Sequence, residues 1–114
     1  AEKLEEALRA ALDAGPETEE VTLGERGSLA AARGEAGTAD PRIIEEPGFA
    51  WPEVVSTLGA GDVFHGALLA GLIEGRGLRQ SLRYANAAAA ISCRAVDGRT
   101  GIPTRAELLS ALGE

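Results

Sequence analysis

A chain of 114 residues, 45% of them apolar, can bury one modest core and is too short for two ordinary domains. Its 11 basic and 18 acidic side chains leave a net charge of -7 with no basic patch, which argues against a nucleic-acid surface and leaves anion binding to backbone N–H groups more than to bulk charge. No run approaches about 18 consecutive apolar residues, and Glu2, Glu5, Glu6 and Asp13 interrupt the first 15 residues, so neither a membrane-spanning helix nor a secretory h-region is expected there and the chain reads as soluble and cytoplasmic.

Leu4, Leu8 and Leu12, with Glu5 four residues before Arg9, predict an amphipathic helix from Glu2 to Ala14 that Gly15-Pro16 stops. Glu20 to Leu23 is a strand candidate, Gly24-Glu25-Arg26-Gly27 a turn, and Ser28 to Ala32 a returning strand, which together make a hairpin. Residues 33–40 are small and polar and read as an exposed connection. A further short strand follows from Pro41 to Glu46 through Ile43 and Ile44, and Pro47, Gly48 and Pro52 punctuate what comes after.

The most informative stretch begins at Val54. Two β-branched residues, Val54 and Val55, run toward Gly59-Ala60-Gly61, and Phe64, Leu68 and Leu72 then recur at helical spacing, which predicts a strand, a tight turn and a helix start. Glycines at 59 and 61 free the backbone angles and clear the approach to main-chain N–H groups. Those groups sit at the positive end of a helix dipole, where an anion such as a phosphate is favoured, and Asp62 falls in the first turn beside it. The helix should run to about Glu74 and close at Gly75-Arg76-Gly77. A second helix carries Leu78, Leu82, Ala85 and Ala89, and its Ala87 to Ala90 run allows close approach to a neighbour. Residues 97–103 form a loop. Thr104 and Glu107 make a capping box for a last helix bearing Leu108, Leu109 and Leu112, with Gly113 at its end. This order of strands and helices predicts an α/β fold.

Thr57-Leu58-Gly59-Ala60-Gly61-Asp62 resembles the C-terminal signature of the PfkB (ribokinase-like) carbohydrate kinase family, Asp-Thr-x-Gly-Ala-Gly-Asp. The resemblance implies a ribokinase-like three-layer αβα fold, of which residues 1–114 would be the C-terminal, nucleotide-binding part of one domain. It implies that Gly59, Ala60 and Gly61 form the anion hole for the transferred phosphoryl group and that Asp62 is the general base. Thr22-Leu23-Gly24-Glu25-Arg26-Gly27 is similar to the family's Thr-Leu-Gly-x-x-Gly segment, which makes Thr22, Gly24 and Gly27 candidate ATP contacts alongside Gly61. Taken alone, those glycines would simply make a hairpin turn, and no Walker A lysine follows. Asn86-Ala87-Ala88-Ala89-Ala90 is similar to the family's Ala-rich run, whose leading polar residue lies near the adenine. Asn86 is therefore either an ATP contact or a satisfied helix-surface residue.

The activity so implied is ATP-dependent phosphorylation of the hydroxymethyl group of a sugar or sugar-like molecule, with Mg²⁺ on the ATP phosphates. A non-catalytic nucleotide-binding or regulatory module is the alternative, and a homodimer is compatible with either. Ser56 stands where the signature has an Asp associated with a monovalent cation, a site to which the loop at 97–103 contributes in relatives; cation use is left open and activation by potassium is expected to be weak. The absence of Met, position 1 included, and a resemblance confined to the family's C-terminal part imply a piece of a longer chain.

Two further residues have two readings each, and a third has one. His65 shares a helix face with Asp62 and is either a packing or hydrogen-bonded residue or a proton relay. Trp51 is a packing residue or a platform for a sugar or base. Cys93, the single cysteine, reads as a small buried residue.

Overall fold

The computed structural model describes residues 2–13, 18–22, 24–32, 42–52 and 54–114. They fall into two compact units, Ala1–Glu46 and Pro47–Glu114.

The first unit holds helix α1 (Glu2–Asp13), strands β1 (Thr18–Thr22), β2 (Ser28–Ala32) and β3 (Arg42–Glu46), and a short 3-10 turn at Gly24–Arg26. The strands form an antiparallel sheet in the order β1-β2-β3. Its register runs from Thr18 opposite Ala32 to Thr22 opposite Ser28, and from Ser28 opposite Glu46 to Ala32 opposite Arg42. The hairpin is as the sequence predicts, with β1 starting two residues earlier than Glu20 because β2 offers Ala31 and Ala32 as partners for Glu19 and Thr18. β2 is the central strand, and Ser28 to Ala31 on it are all buried. Leu8 of α1 packs with Leu29, Ala31 and Ile43 into the core of this unit. Ala14, Leu23, Pro41 and the connection expected at residues 33–40 lie outside the described residues.

The second unit holds α2 (Ala60–Ile73), α3 (Leu78–Ser92) and α4 (Arg105–Ala111). Gly75, at a φ of +87°, and the bond from Arg76 N–H to the Gly71 carbonyl (3.0 Å) end α2 where the sequence predicts a close. Helices α2 and α3 then pack as a hairpin. They approach closely at Gly71, where an added Cβ would stand 3.0 Å from the Ser81 hydroxyl and 3.3 Å from its Cα. Tyr84, Ala87, Ala88 and Ile91 of α3 meet Leu108 and Leu112 in the core of the unit, with Phe49, Trp51, Val63 and Ala67 against it. The capping box at α4 is complete: the Glu107 N–H donates to the Thr104 hydroxyl (3.1 Å), and the Thr104 N–H donates to the Glu107 carboxylate (3.0 Å).

One expectation fails. Val54 and Val55 do not form a strand: they are 65% and 58% exposed, and the N–H groups of Val55 and Ser56 both donate to the Cys93 carbonyl at the end of α3 (2.7 and 3.0 Å). β-branched residues favour extended chain, yet a strand also needs a ladder partner, and here the acceptor is a helix terminus. Helix α2 is apolar on two sides. Phe64, Leu68 and Gly71 face inward, whereas Leu69, Leu72 and Ile73 are exposed, Ile73 by 76%. Among the described residues no helix is long and apolar enough to cross a membrane.

Candidate functional site

The site forms where the chain turns into α2. Ser56 starts the turn, its hydroxyl accepting from the Leu58 N–H (3.1 Å), and the Ala60 N–H donates to the Thr57 carbonyl (3.1 Å). Gly59 then takes the left-handed conformation, φ +78° and ψ -1°, which a side chain would strain. The first bond inside the helix runs from Val63 N–H to Gly59 carbonyl (3.1 Å). With Ala60 engaged by Thr57, the N–H groups of Gly61 and Asp62 have no acceptor among the described residues, as expected of a first helical turn. A Cβ at Gly61 would meet nothing within 4 Å, so the turn opens outward and leaves space for an anion.

A cavity of about 550 Å³ lies at this turn, lined by Leu58, Gly59, Asp62, Asp97, Gly98, Arg99 and Thr100. Its second wall is the loop after α3. The Asp97 carboxylate fixes that loop, accepting from the N–H of Arg99 (2.8 Å), the N–H of Thr100 (2.6 Å) and the Thr100 hydroxyl (2.5 Å). These bonds, the one from the Thr100 hydroxyl foremost, hold the Asp97 carboxyl below the usual carboxylate range. Farther along, the Gly101 backbone lies so close to α3 that an added Cβ would collide with the Ser92 carbonyl. Arg94 buttresses this contact. Its Nε donates to the Gly101 carbonyl (3.1 Å), and its two terminal nitrogens grip the Glu107 carboxylate (2.8 and 3.1 Å). Glu107 is thereby held down at about 2, first by Arg94 and then by the Thr104 N–H.

The residues predicted from sequence are distributed as follows. Gly59 and Asp62 line the cavity, and Ala60 and Gly61 belong to the same turn. Asp62 is exposed, with its carboxylate open to a ligand. His65 is tied to the same turn through its Nδ1–H, which donates to the Gly61 carbonyl (2.7 Å), and its ring meets Phe64 edge-on, 5.6 Å between centroids. Asn86 is not on the helix surface: it is 8% exposed, and its amide donates to the Pro47 carbonyl (3.1 Å). Thr22, Gly24 and Gly27 belong to the first unit. There the glycines, at φ +60° and +98°, bracket the 3-10 turn, the Gly27 N–H donates to the Gly24 carbonyl (3.1 Å), and Thr22 is exposed. Trp51 stacks on Phe49 (6.5 Å, 26°) against the core, and Cys93 is buried with its thiol donating to the Ala89 carbonyl (3.3 Å), which are the packing roles the sequence favours.

Sequence reasoning linked the loop at 97–103 to a cation site through the resemblance but gave no individual role to Asp97, Arg99 or Thr100, nor to Arg94 as the support of their loop. The Asp97-Gly98 pair is a turn signal and could have flagged an aspartate bonding its own backbone. Nothing local marks Arg94.

Known proteins resemble this chain as follows. The model of the pfkB family of carbohydrate kinases matches residues 1–105. The ribokinase of Haemophilus influenzae is 36% identical over 100 residues, covering 88% of this chain and 30% of that protein. A probable fructokinase-4 of Arabidopsis thaliana is 35% identical over 99 residues, covering 81% and 28%. The solved structure of Arabidopsis thaliana ribokinase complexed with ribose and ATP matches with a TM-score of 0.87 at 28% identity, covering 99% of this chain and 34% of that one. The chain thus spans about a third of the length of the relatives it matches, and its elements form part of a ribokinase-like α/β fold.

Proposed function

Because this chain belongs to the pfkB family of carbohydrate kinases, we propose that it supplies the anion-binding turn and the general base of an ATP-dependent kinase whose acceptor is a hydroxymethyl group on a sugar or sugar-like molecule. One observation carries this reading: Gly59 and Asp62, a turn built for an anion and a free carboxylate, line the same cavity. When bound, ATP supplies the phosphoryl group, and Mg²⁺ on its phosphates offsets their charge. Mg²⁺ would reach the site on the ATP phosphates, while the Asp97 carboxylate accepts from the Arg99 and Thr100 N–H groups and the Thr100 hydroxyl of its own loop.

The N–H groups of Gly61 and Asp62 donate to oxygens of the transferring group, aided by the α2 dipole. Asp62 accepts the hydroxyl proton as the acceptor oxygen bonds to phosphorus and the bond to the leaving phosphate breaks. The hairpin turn at Thr22, Gly24 and Gly27 serves the nucleotide phosphates. Asn86 serves the adenine end by anchoring the Pro47 carbonyl to α3.

A second reading, nucleotide binding without turnover, is favoured by Ser56, whose hydroxyl caps Leu58 where the family signature has a carboxylate. The test is a polypeptide of the relatives' length that contains this chain, given ATP, Mg²⁺ and a panel of pentoses, hexoses and nucleosides. Formation of ADP and a phosphorylated product with at least one acceptor is expected. Nucleotide binding with no product from any acceptor supports the second reading, and absence of nucleotide binding overturns both.

A further inference from the structure

We infer that His65 is a positioning residue for Asp62: it fixes the peptide unit that carries the base, a role that deepens the kinase reading above and rests on it. The bond that carries this inference joins the His65 ring to the Gly61 carbonyl (2.7 Å). A carbonyl oxygen only accepts, so Nδ1 bears the hydrogen, and in its neutral form the ring is the Nδ1–H tautomer. The Gly61 carbonyl and the Asp62 N–H belong to one planar peptide unit. Holding that oxygen therefore fixes the plane from which the Asp62 Cα, and with it the carboxylate, starts.

The turn needs such a tie because of its own glycines. Gly59 is left-handed at φ +78°, and Gly61 follows inside the first turn of α2. Glycine in a helix costs up to about 1 kcal/mol relative to Ala, since its backbone has more freedom to lose. Gly59 has no side chain with which to cap the helix, and α2 starts without a side-chain cap. His65 supplies a side-chain bond to this turn from within the helix.

The ring is itself held in place. Its edge meets Phe64 at 5.6 Å between centroids and 84° between planes, and Phe64 is 2% exposed. His65, by contrast, is exposed, where water can satisfy an imidazole N–H, so burial does not demand the bond to Gly61. Three residues apart, His65 and Asp62 lie on one face of α2, which places the brace on the side of the helix that presents the base. Precision there matters to a reaction, because a general base works only within hydrogen-bond reach of its proton, and a misplacement of about 1 Å can cost roughly 10²-fold in rate.

The experiment measures kcat and KM in the full-length polypeptide and in two variants. His65→Phe keeps a ring beside Phe64 and removes the donor, whereas the amide nitrogen of His65→Asn takes the place of Nδ1. His65→Phe is expected to lower kcat about tenfold or more with little change in KM for ATP, and His65→Asn to restore most of the loss. In the Asp62→Asn background, His65→Phe should lower kcat no further. The ring nitrogens of the parent, followed by ¹⁵N NMR, should show the Nδ1–H tautomer. Unchanged kcat in His65→Phe, a loss that His65→Asn does not restore, or the Nε2–H tautomer in the parent overturns the inference while leaving the kinase reading intact. An equal loss in both backgrounds also overturns it, because His65 then acts independently of Asp62. A parent protein that phosphorylates no acceptor overturns the kinase reading and this inference together.

Discussion

Gly59 and Gly98, 39 residues apart in the chain, meet backbone to backbone: a Cβ on Gly59 would lie 3.2 Å from the Gly98 Cα and 3.3 Å from its carbonyl oxygen. This contact joins the two walls of the cavity. Gly59→Ala meets two penalties at once, a left-handed φ and a neighbour that is backbone and cannot swing away. The strained conformation alone costs on the order of 1–2 kcal/mol. Gly59→Ala should therefore lower the melting temperature. Gly61→Ala, whose Cβ meets nothing, should leave it near the parent value while reducing nucleotide affinity if an anion occupies that space. Thermal melts of both variants, with and without ATP, check the contrast.

Asp62 separates two roles by magnitude. A carboxylate serving only the helix dipole contributes roughly 0.3–1 kcal/mol to stability. A general base contributes about 10²–10⁴-fold in rate, and an amide of the same shape cannot take the proton. In the full-length polypeptide, Asp62→Asn should lower kcat by about a hundredfold or more with ATP affinity and melting temperature nearly unchanged. Steady-state kinetics beside a nucleotide titration measures this, and a near-normal kcat removes Asp62 as the base.

Gly101 is required for reasons of space alone, since its φ is not positive and the obstacle is the Ser92 carbonyl. Gly101→Ala forces the loop away from α3 and should cost on the order of 1–3 kcal/mol, the range for overpacking a tight contact. Because the same loop carries Asp97 to Thr100, nucleotide affinity should fall with stability. Denaturant unfolding and ATP titration of one variant preparation provide the measurement.

The pairing of Arg94 with Glu107 has a pH signature. Glu107 titrates at about 2 in the folded chain against an ordinary 4.5, so the folded state favours its ionised form. The sign follows by linkage: this contribution is fully present above pH about 4.5 and is lost as the pH falls toward about 2. Half-exposure of the pair limits its size. The direct observation is the Glu107 carboxyl carbon followed by NMR, which should titrate near 2 in the parent and move up toward 4.5 in Arg94→Met.

Legibility from sequence tracked the range over which each interaction acts. Gly59 to Asp62 and the Thr104–Glu107 box were readable because turn and cap chemistry is complete within four residues. The hairpin at Gly24–Gly27 was readable for the same reason. Val54 and Val55 were misread because propensity speaks for extended backbone and is silent on whether a partner strand exists. Arg94 and Glu107, thirteen residues apart and on different elements, leave no periodic trace, and the burial of Asn86 depends on Pro47, a residue 39 positions upstream. The opposite wall of the cavity was legible only as a loop that the family resemblance links to a cation site; that Arg99 lines the cavity follows only once Gly98 is brought against Gly59.

The outward side of α2 carries a consequence for handling and for assembly. Leu69, Leu72 and Ile73 stand in water on the helix whose other side, through Phe64 and Leu68, anchors the core. Covering such side chains releases on the order of 1.5–3 kcal/mol each, so this stripe is a reservoir of association energy comparable to the stability margin of a small domain. Taken as a separate piece, the chain is therefore adhesive, with a solubility that should depend on concentration and temperature. The stripe also makes α2 a shared beam, since any surface that settles on Leu69 and Ile73 bears on the same rigid rod that presents Asp62 at its other end.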